Sequence, residues 1–443
     1  MQISVIGCGY LGAVHATCMA ALGHDVVGID ADADKVESLS RGKAPFHEPG
    51  FDEVLSRHVQ AGHLQFSTNV ADAASAQVHF LAVGTPQQAD SYAADLTYVD
   101  TAVASLIPHL RRHSDGPTLV VGKSTVPVGT APRLAALIAE GSDSGASLVW
   151  NPEFLREGHA MQDTLAPDRI VYGLPPDPKT ADAARGALDA VYADLLARDT
   201  PQVVTDYATA ELIKVAANSF LATKISFINA MAELCEATGA DVTQLADAIG
   251  YDDRIGRKFL HAGVGFGGGC LPKDIRAFMA RAGELGADQA LSFLREVDTI
   301  NSRRRERVVE LALAACGGTF RDKRVAVLGA AFKPQSDDMR DSPALDVANR
   351  ITGRGATVAI TDPQAGPRLA EQRPDLDVAC DAVTAATDAD VVLLLTEWPE
   401  FVSLDPVDLG QVVAARNIVD GRNVLDPALW RSAGWTYHGL GRP

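Results

Sequence analysis

The stretch from Met1 to Asp30 limits the possible folds more than any other. A short β-rich apolar run, Ile3-Ser4-Val5-Ile6, leads into Gly7-Cys8-Gly9-Tyr10-Leu11-Gly12, and a helix-like segment from Ala13 to Leu22 stops at Gly23. A second apolar run, Val26-Val27-Gly28-Ile29, ends in Asp30. Strand, tight turn, helix and strand make a βαβ unit, which requires a parallel sheet with helices packed on its faces. The glycines have separate tasks. Gly7 makes the turn, Gly9 lets a pyrophosphate approach the backbone, and Gly12 lets helix and strand pack closely, with the helix N-terminus facing the phosphates. Tyr10 and Leu11 lie within the same turn. Asp30 stands where a carboxylate binds the adenosine ribose, and its charge would repel a 2′-phosphate, so the unit predicts NAD rather than NADP. The competing reading of Asp30 is a solvated loop acid.

More strand-like runs follow, and each stops in small or polar residues: Val78 to Val83 before Gly84-Thr85-Pro86, Leu119 to Val121 before Lys123-Ser124-Thr125, and Leu148 to Trp150 before Asn151-Pro152-Glu153. In an open α/β sheet a ligand lies outside the carboxyl ends of the strands, which makes Ser124 and Thr125 candidate site residues. Helix capping explains Ser124 equally well. Glu153 and Glu157 are four apart, and on a helical turn they would share a face as an acid/base carboxylate and a binding carboxylate. A solvated acidic face is the alternative.

From Asp206 to Thr238 the chain carries neither proline nor glycine, with Asp206 suited to cap and Gly239 to stop one long helix. At about 1.5 Å per residue such a helix outruns one small domain, so it is expected to link two domains or to pair with its copy in a dimer. Lys214 and Asn218 project from one of its faces, either as a solvent-facing pair or as an ammonium and an amide converging on a developing oxyanion.

Downstream, Gly263-Val264-Gly265-Phe266-Gly267-Gly268-Gly269 leads to Cys270-Leu271-Pro272-Lys273-Asp274. Pro272 suits the first position of a helix, and Ile275, Phe278 and Met279 recur at helical spacing. Cys270 thus precedes a helix N-terminus, whose positive end, with Lys273 close by, favours a thiolate. A buried inert cysteine in a glycine-rich turn is the other reading. After Gly317-Gly318, the run Arg324 to Leu328 and Gly329-Ala330-Ala331-Phe332-Lys333 repeats the start of the chain in degenerate form. Ala331 and Pro334 replace the second and third glycines, which argues against dinucleotide binding there. Strand-like runs at Val358-Ala359-Ile360, Val391 to Leu395 and Ile418-Val419 complete a second α/β domain. Lys333, Arg340 and Arg422 near strand ends are either phosphate ligands or ordinary surface cations.

The expected fold is α/β, with two Rossmann-like doubly wound domains, 1–200 and 319–443, joined by a long central helix and a helical dimerisation region over 201–318. A formal charge of -18 from 39 basic and 57 acidic residues argues against nucleic acid or an anionic membrane as the main partner. Six scattered cysteines without a Cys-x-x-Cys pair indicate neither a disulfide framework nor a zinc site, so no metal is expected. The N-terminus lacks a leader pattern and no apolar run approaches membrane-spanning length, which leads to the expectation of a cytoplasmic protein.

A nicotinamide cofactor implies hydride transfer, and a cysteine nucleophile changes the reaction class. An alcohol oxidised to an aldehyde can be captured by a thiolate, lose a second hydride to become a thioester, and be released by water as an acid. Lys214 and Asn218 would stabilise the oxyanions, with Glu153 acting on water. Two other readings are an ordinary two-electron hydroxyacid-type dehydrogenase and a non-catalytic NAD-binding scaffold.

Four motifs together carry a resemblance that spans essentially the whole chain: Gly265 to Asp274, Asn151-Pro152-Glu153-Phe154-Leu155-Arg156-Glu157-Gly158, the Lys214…Asn218 helix, and Lys123-Ser124-Thr125-Val126-Pro127. The sequence resembles the UDP-glucose/GDP-mannose dehydrogenase family. The resemblance implies that Cys270 is the nucleophile, that Lys214, Asn218 and Asp274 serve the oxyanion and water steps, that Glu153 is the acid/base residue and that Thr125 positions water. It implies Asp30 and Lys35 on the adenosine ribose, with Thr85, Ser124, Thr125, Glu157, Lys273 and Arg340 near the cofactor. It implies Phe154, Leu155, Arg156, His261, Gly265, Phe266, Gly267, Phe332, Lys333 and Arg422 on a nucleotide sugar. Arg254 would reach the neighbouring subunit's substrate, which makes a homodimer the smallest complete unit. The Asp253-Arg254-Ile255-Gly256 turn is most similar to the UDP-glucose branch, while GDP-mannose and UDP-N-acetylhexosamines remain open. Tyr251-Asp252-Asp253-Arg254 and His261 depart from the usual pattern of that branch.

Overall fold

The computed structural model describes residues 1–114 and 116–443. Internal contacts divide the chain into two units, Met1–Ala217 with Arg276–Gly286, and Asn218–Ile275 with Ala287–Pro443.

In the first unit, eight strands form one sheet: β1 Gln2–Ile6, β2 Asp25–Ile29, β3 Leu64–Ser67, β4 Val78–Leu81, β5 Leu119–Gly122, β6 Ser147–Trp150, β7 Ile170–Leu174 and β8 Gln202–Asp206, in the order β3-β2-β1-β4-β5-β6-β7-β8. All neighbours are parallel except β6 and β7. Both faces are covered, and the period of two along each strand feeds two separate cores. Ile3, Val5, Leu119 and Val121 pack into one, while Ile6, Val120, Leu148 and Trp150 pack into the other.

The second unit contains β9 Arg324–Leu328, β10 Thr357–Thr361, β11 Asp377–Val378, β12 Val391–Leu394, β13 Asn417–Asp420 and β14 Thr436–Gly439, all parallel, in the order β11-β10-β9-β12-β13-β14. Each sheet reverses its strand order beside its first strand, and that switch point is where α/β sheets place ligands.

The long helix runs Tyr207–Thr238 and passes from the first unit into the second after Ala217. Asp206 caps it by accepting from the Thr209 N–H at 2.9 Å, and Gly239, at φ 75°, ends it in the left-handed region. A second helix, Leu271–Glu284, starts one residue before Pro272, so the proline takes the second helical position instead of the first. Among the described residues, no helix is long and apolar enough to cross a membrane.

Candidate active site

The dinucleotide turn is built as its glycine spacing requires. Gly7 has φ 91° and donates its N–H to the Ile29 carbonyl at 2.7 Å. A Cβ on Gly12 would lie 1.8 Å from the Gly7 oxygen, while one on Gly9 would meet nothing within 4 Å. Gly12 is therefore needed for packing, and the space above Gly9 is left for a ligand. The Asp30 carboxylate accepts from the Cys8 N–H at 2.7 Å and from Lys35 Nζ at 3.0 Å, which brings the two expected ribose residues together. Leu11 packs against the core beneath the sheet. An open pyrophosphate approach with a carboxylate at the end of β2 fits NAD.

Farther along the carboxyl edge, the Thr85 hydroxyl donates to the Thr125 carbonyl at 2.7 Å and the Ser124 hydroxyl to the Val83 carbonyl at 2.7 Å. Both hydroxyls thus tie the ends of β4 and β5 together, and Thr125 is half-buried beside them.

The segment after β6 is not helical. Residues 151–156 have no regular structure and a helix starts only at Ala160, so the expectation that Glu153 and Glu157 share a helical face is corrected. The reason is local. The Glu153 carboxylate accepts from the Leu155 N–H at 2.6 Å, a side-chain bond that replaces a helical one. Glu153 also forms an ion pair with Lys214 Nζ at 2.9 Å. Burial alone would raise its carboxyl, but the Lys214 charge and hydrogen bond, the Leu155 N–H and Lys123 together hold it below the ordinary range. Nearby, buried Lys123 donates to Asn151 Oδ1 at 3.0 Å, and burial, opposed by Glu153 and assisted by Lys214, pushes its ammonium down to about 8. Phe154 is stacked by the Arg169 guanidinium at 3.6 Å and Leu155 packs against the core. Arg156 faces outward and is held by Asp163 at 2.6 Å.

In the second unit, Asn218 Nδ2 donates to Asp274 Oδ2 at 2.6 Å, and Lys273 Nζ reaches Asp274 Oδ1 at 2.5 Å. Lys214 and Asn218 are therefore both buried and each is held by a carboxylate, which removes the solvent-facing reading. Cys270, directly before the helix, is exposed, whereas Cys8, Cys18, Cys235 and Cys316 are buried. Burial pushes the Cys18 thiol up to about 12 and the Cys316 thiol up to about 11, so these are packing residues. The buried reading of Cys270 does not hold.

The loop before Cys270 is glycine-rich because other backbone and side chains crowd it. A Cβ on Gly267 would lie 2.2 Å from the Asp341 oxygen, and one on Gly269 2.3 Å from the Arg340 guanidinium carbon. Phe266 is buried, its N–H bound by Asn301 Oδ1 at 2.8 Å and its carbonyl by Asn301 Nδ2 at 2.9 Å. Arg422 donates to the carbonyls of Gly265 at 3.1 Å, Phe332 at 3.1 Å and Leu395 at 2.7 Å, which joins three of the expected sugar-nucleotide positions in one network. Lys333 Nζ sits 5.2 Å from the Phe332 ring centre. Arg340 is bound to Asp338 at 2.7 Å, and His261 is exposed. Arg254 is 88% exposed and pairs with its neighbour Asp252 at 2.6 Å.

Several residues that shape these sites were not anticipated: Glu48, Arg169, Asn301 and Asp362. Asn301, a buried amide inside a helix, carries the one local signal, since an amide there needs partners outside the helix.

The chain matches the UDP-glucose/GDP-mannose dehydrogenase family in three parts: the NAD binding domain over residues 1–196, the central domain over 208–303 and the UDP binding domain over 326–427. It is 41% identical to a UDP-glucose 6-dehydrogenase of Rhizobium meliloti, with 100% of both chains covered. The solved structure of a UDP-glucose dehydrogenase from Pyrobaculum islandicum superimposes with a TM-score of 0.89 at 38% identity, covering 100% of this chain and 98% of that one. A UDP-D-ManNAc dehydrogenase structure from Pyrococcus horikoshii gives a TM-score of 0.85 at 27% identity, covering 100% and 99%.

Proposed function

The chain belongs to the UDP-glucose/GDP-mannose dehydrogenase family, and from that premise we propose that it oxidises UDP-glucose at C6 to UDP-glucuronate in the cytoplasm. NAD, when bound, would accept one hydride at a time, so NADH must leave and a second NAD bind between the two oxidations. The first hydride leaves C6 as the hydroxyl proton passes to solvent, giving the aldehyde. Lys214 and Asn218, one turn apart on the long helix, stabilise the oxygen on C6 as it gains charge. The Cys270 thiolate adds to the C6 aldehyde to form a thiohemiacetal, and loss of a second hydride leaves a thioester. Glu153 takes a proton from a water positioned by Thr125. The water adds, the C–S bond breaks, and the acid leaves with the thiolate restored. Asp274 holds Asn218 in place for these steps. Arg422, Phe332 and Lys333 hold the nucleotide.

The observation that carries this reading is the Glu153–Lys214 pair at 2.9 Å. It is an ionised carboxylate, held in its basic form, against the ammonium of the oxyanion helix. Counting NADH released for each UDP-glucose consumed tests the proposal, and two are expected. Cys270→Ser should lower the overall rate at least about a thousandfold; an enzyme with that change that still released two NADH at the normal rate would sink the thioester route. One NADH per sugar points to two-electron chemistry, and preference for GDP-mannose or a UDP-N-acetylhexosamine in the same assay reassigns the substrate.

The long helix also supports a homodimer. Phe220, Phe227 and Leu234 repeat every seven residues and are 66%, 48% and 57% exposed, a stripe suited to a second copy of the same helix. Phe227→Glu should halve the mass seen by light scattering, and an unchanged mass would move the interface elsewhere. Arg254, projecting from its turn, is assigned to the neighbouring subunit's substrate.

A further inference from the structure

A buried carboxylate outside every motif holds two parts of the first unit together. Glu48 lies in the loop between the helices Ala33–Ser40 and Phe51–Gln60 and is only 6% exposed. Its Oε2 accepts the Tyr10 hydroxyl and the Gly158 N–H, the latter at 2.7 Å. Its Oε1 accepts the N–H of Ala160 at 2.7 Å and of Met161 at 3.3 Å. Gly158, at φ 79°, also donates to the Tyr10 oxygen at 2.9 Å. Phe46, two residues before Glu48, packs on the Tyr10 ring at 4.8 Å between centres. Burial, the Glu48 hydrogen bond and its charge push the Tyr10 phenol up, so Tyr10 stays a proton donor to Glu48.

Tyr10 belongs to the dinucleotide turn, and Gly158 ends the segment that carries Glu153, Leu155 and Glu157. We propose that Glu48 is a positioning residue that couples the dinucleotide turn to the Asn151–Gly158 segment through Tyr10 and the Gly158 N–H, so that cofactor binding and placement of the acid/base segment depend on each other. The site demands a carboxylate. Four donors converge on it, and an amide in its place would turn an N–H₂ group against N–H donors. For its effect on turnover the proposal rests on the assigned role of Glu153, whereas its effect on cofactor binding does not.

The test uses the full-length protein and NADH as the probe, followed by fluorescence titration. Glu48→Gln should weaken NADH about tenfold and lower kcat about tenfold, and Tyr10→Phe should do the same more mildly. The double variant should be no worse than Glu48→Gln alone, because both act through one contact. Effects that multiply, or wild-type NADH affinity in folded Glu48→Gln, would overturn the coupling. If Glu48→Gln does not fold, amide exchange decides. NADH should slow exchange at residues 158–161 in the wild type and much less in Tyr10→Phe, and equal slowing in both would refute the proposal. Normal NADH coupling with altered turnover stoichiometry would instead indict the function assigned above.

Discussion

The two Rossmann-like sheets share a turn and differ in what it leaves open. In both, the glycine after the first strand has positive φ, 91° at Gly7 and 117° at Gly329. Each donates its N–H to the end of the second strand, to Ile29 at 2.7 Å and to Thr361 at 2.8 Å. Each second strand is then followed directly by an aspartate. Asp30 accepts from backbone at Cys8 and Asp32 and is otherwise matched by the flexible Lys35. Asp362 is 5% exposed and accepts from the N–H groups of Ala330, Ala331, Gln364 and Ala365 and from the Trp398 indole, between 2.8 and 3.1 Å. Above Gly9 there is open space, whereas Ala331 is fully buried. One aspartate remains available to a ribose, while the other has become a core residue. The same βαβ geometry thus leaves its aspartate open to a cofactor ribose in one case and ties it into the core in the other.

The contrast is broken most directly at Asp362. Asp362→Ala would leave five donors unpartnered, four of them buried, and should cost about 4 kcal/mol, read as a lower midpoint in urea; a loss within about 1 kcal/mol would show that the carboxylate is not a core element.

Next in size is a pH effect confined to the first sheet. Lys123 has its folded pKa near 8 against 10.5 unfolded, so below about 8 its buried charge opposes folding. As pH rises from about 8 to 10.5 the unfolded chain holds the extra proton, and stability should rise by roughly 3 kcal/mol. Lys123→Met should remove that rise in urea melts, and an identical slope in both proteins would argue against a buried ammonium. The smallest effect is expected at Asp30. Asp30→Ala should leave stability within about 1 kcal/mol and weaken NADH about tenfold; measured in the same titration, an unchanged affinity would leave the two aspartates without a functional difference.

Legibility followed the range of the contacts involved. The turn at Gly7, Gly9 and Gly12 was readable because its constraints act within a few residues, and the ends of the long helix at Asp206 and Gly239 were readable for the same reason. The shared face of Lys214 and Asn218 follows from helical periodicity alone. The spacing of Glu153 and Glu157 misled, because periodicity has meaning only inside a helix and the Glu153 side chain takes the Leu155 N–H for itself. Glu48 carried no local signal, since its partners lie far away in sequence: Gly158 is 110 positions from Glu48. Arg422, expected as a phosphate ligand, also donates to three carbonyls, contacts that its charge alone does not reveal.

By itself the sequence determined the two sheets, the long helix between them, the dinucleotide turn and the cysteine ahead of a helix, because each is written in local spacing and turn chemistry. Only the tertiary structure decided which charges stay available. A carboxylate becomes a ligand site or a core element according to how many backbone donors the fold brings to it, and those donors come from residues that only folding makes neighbours.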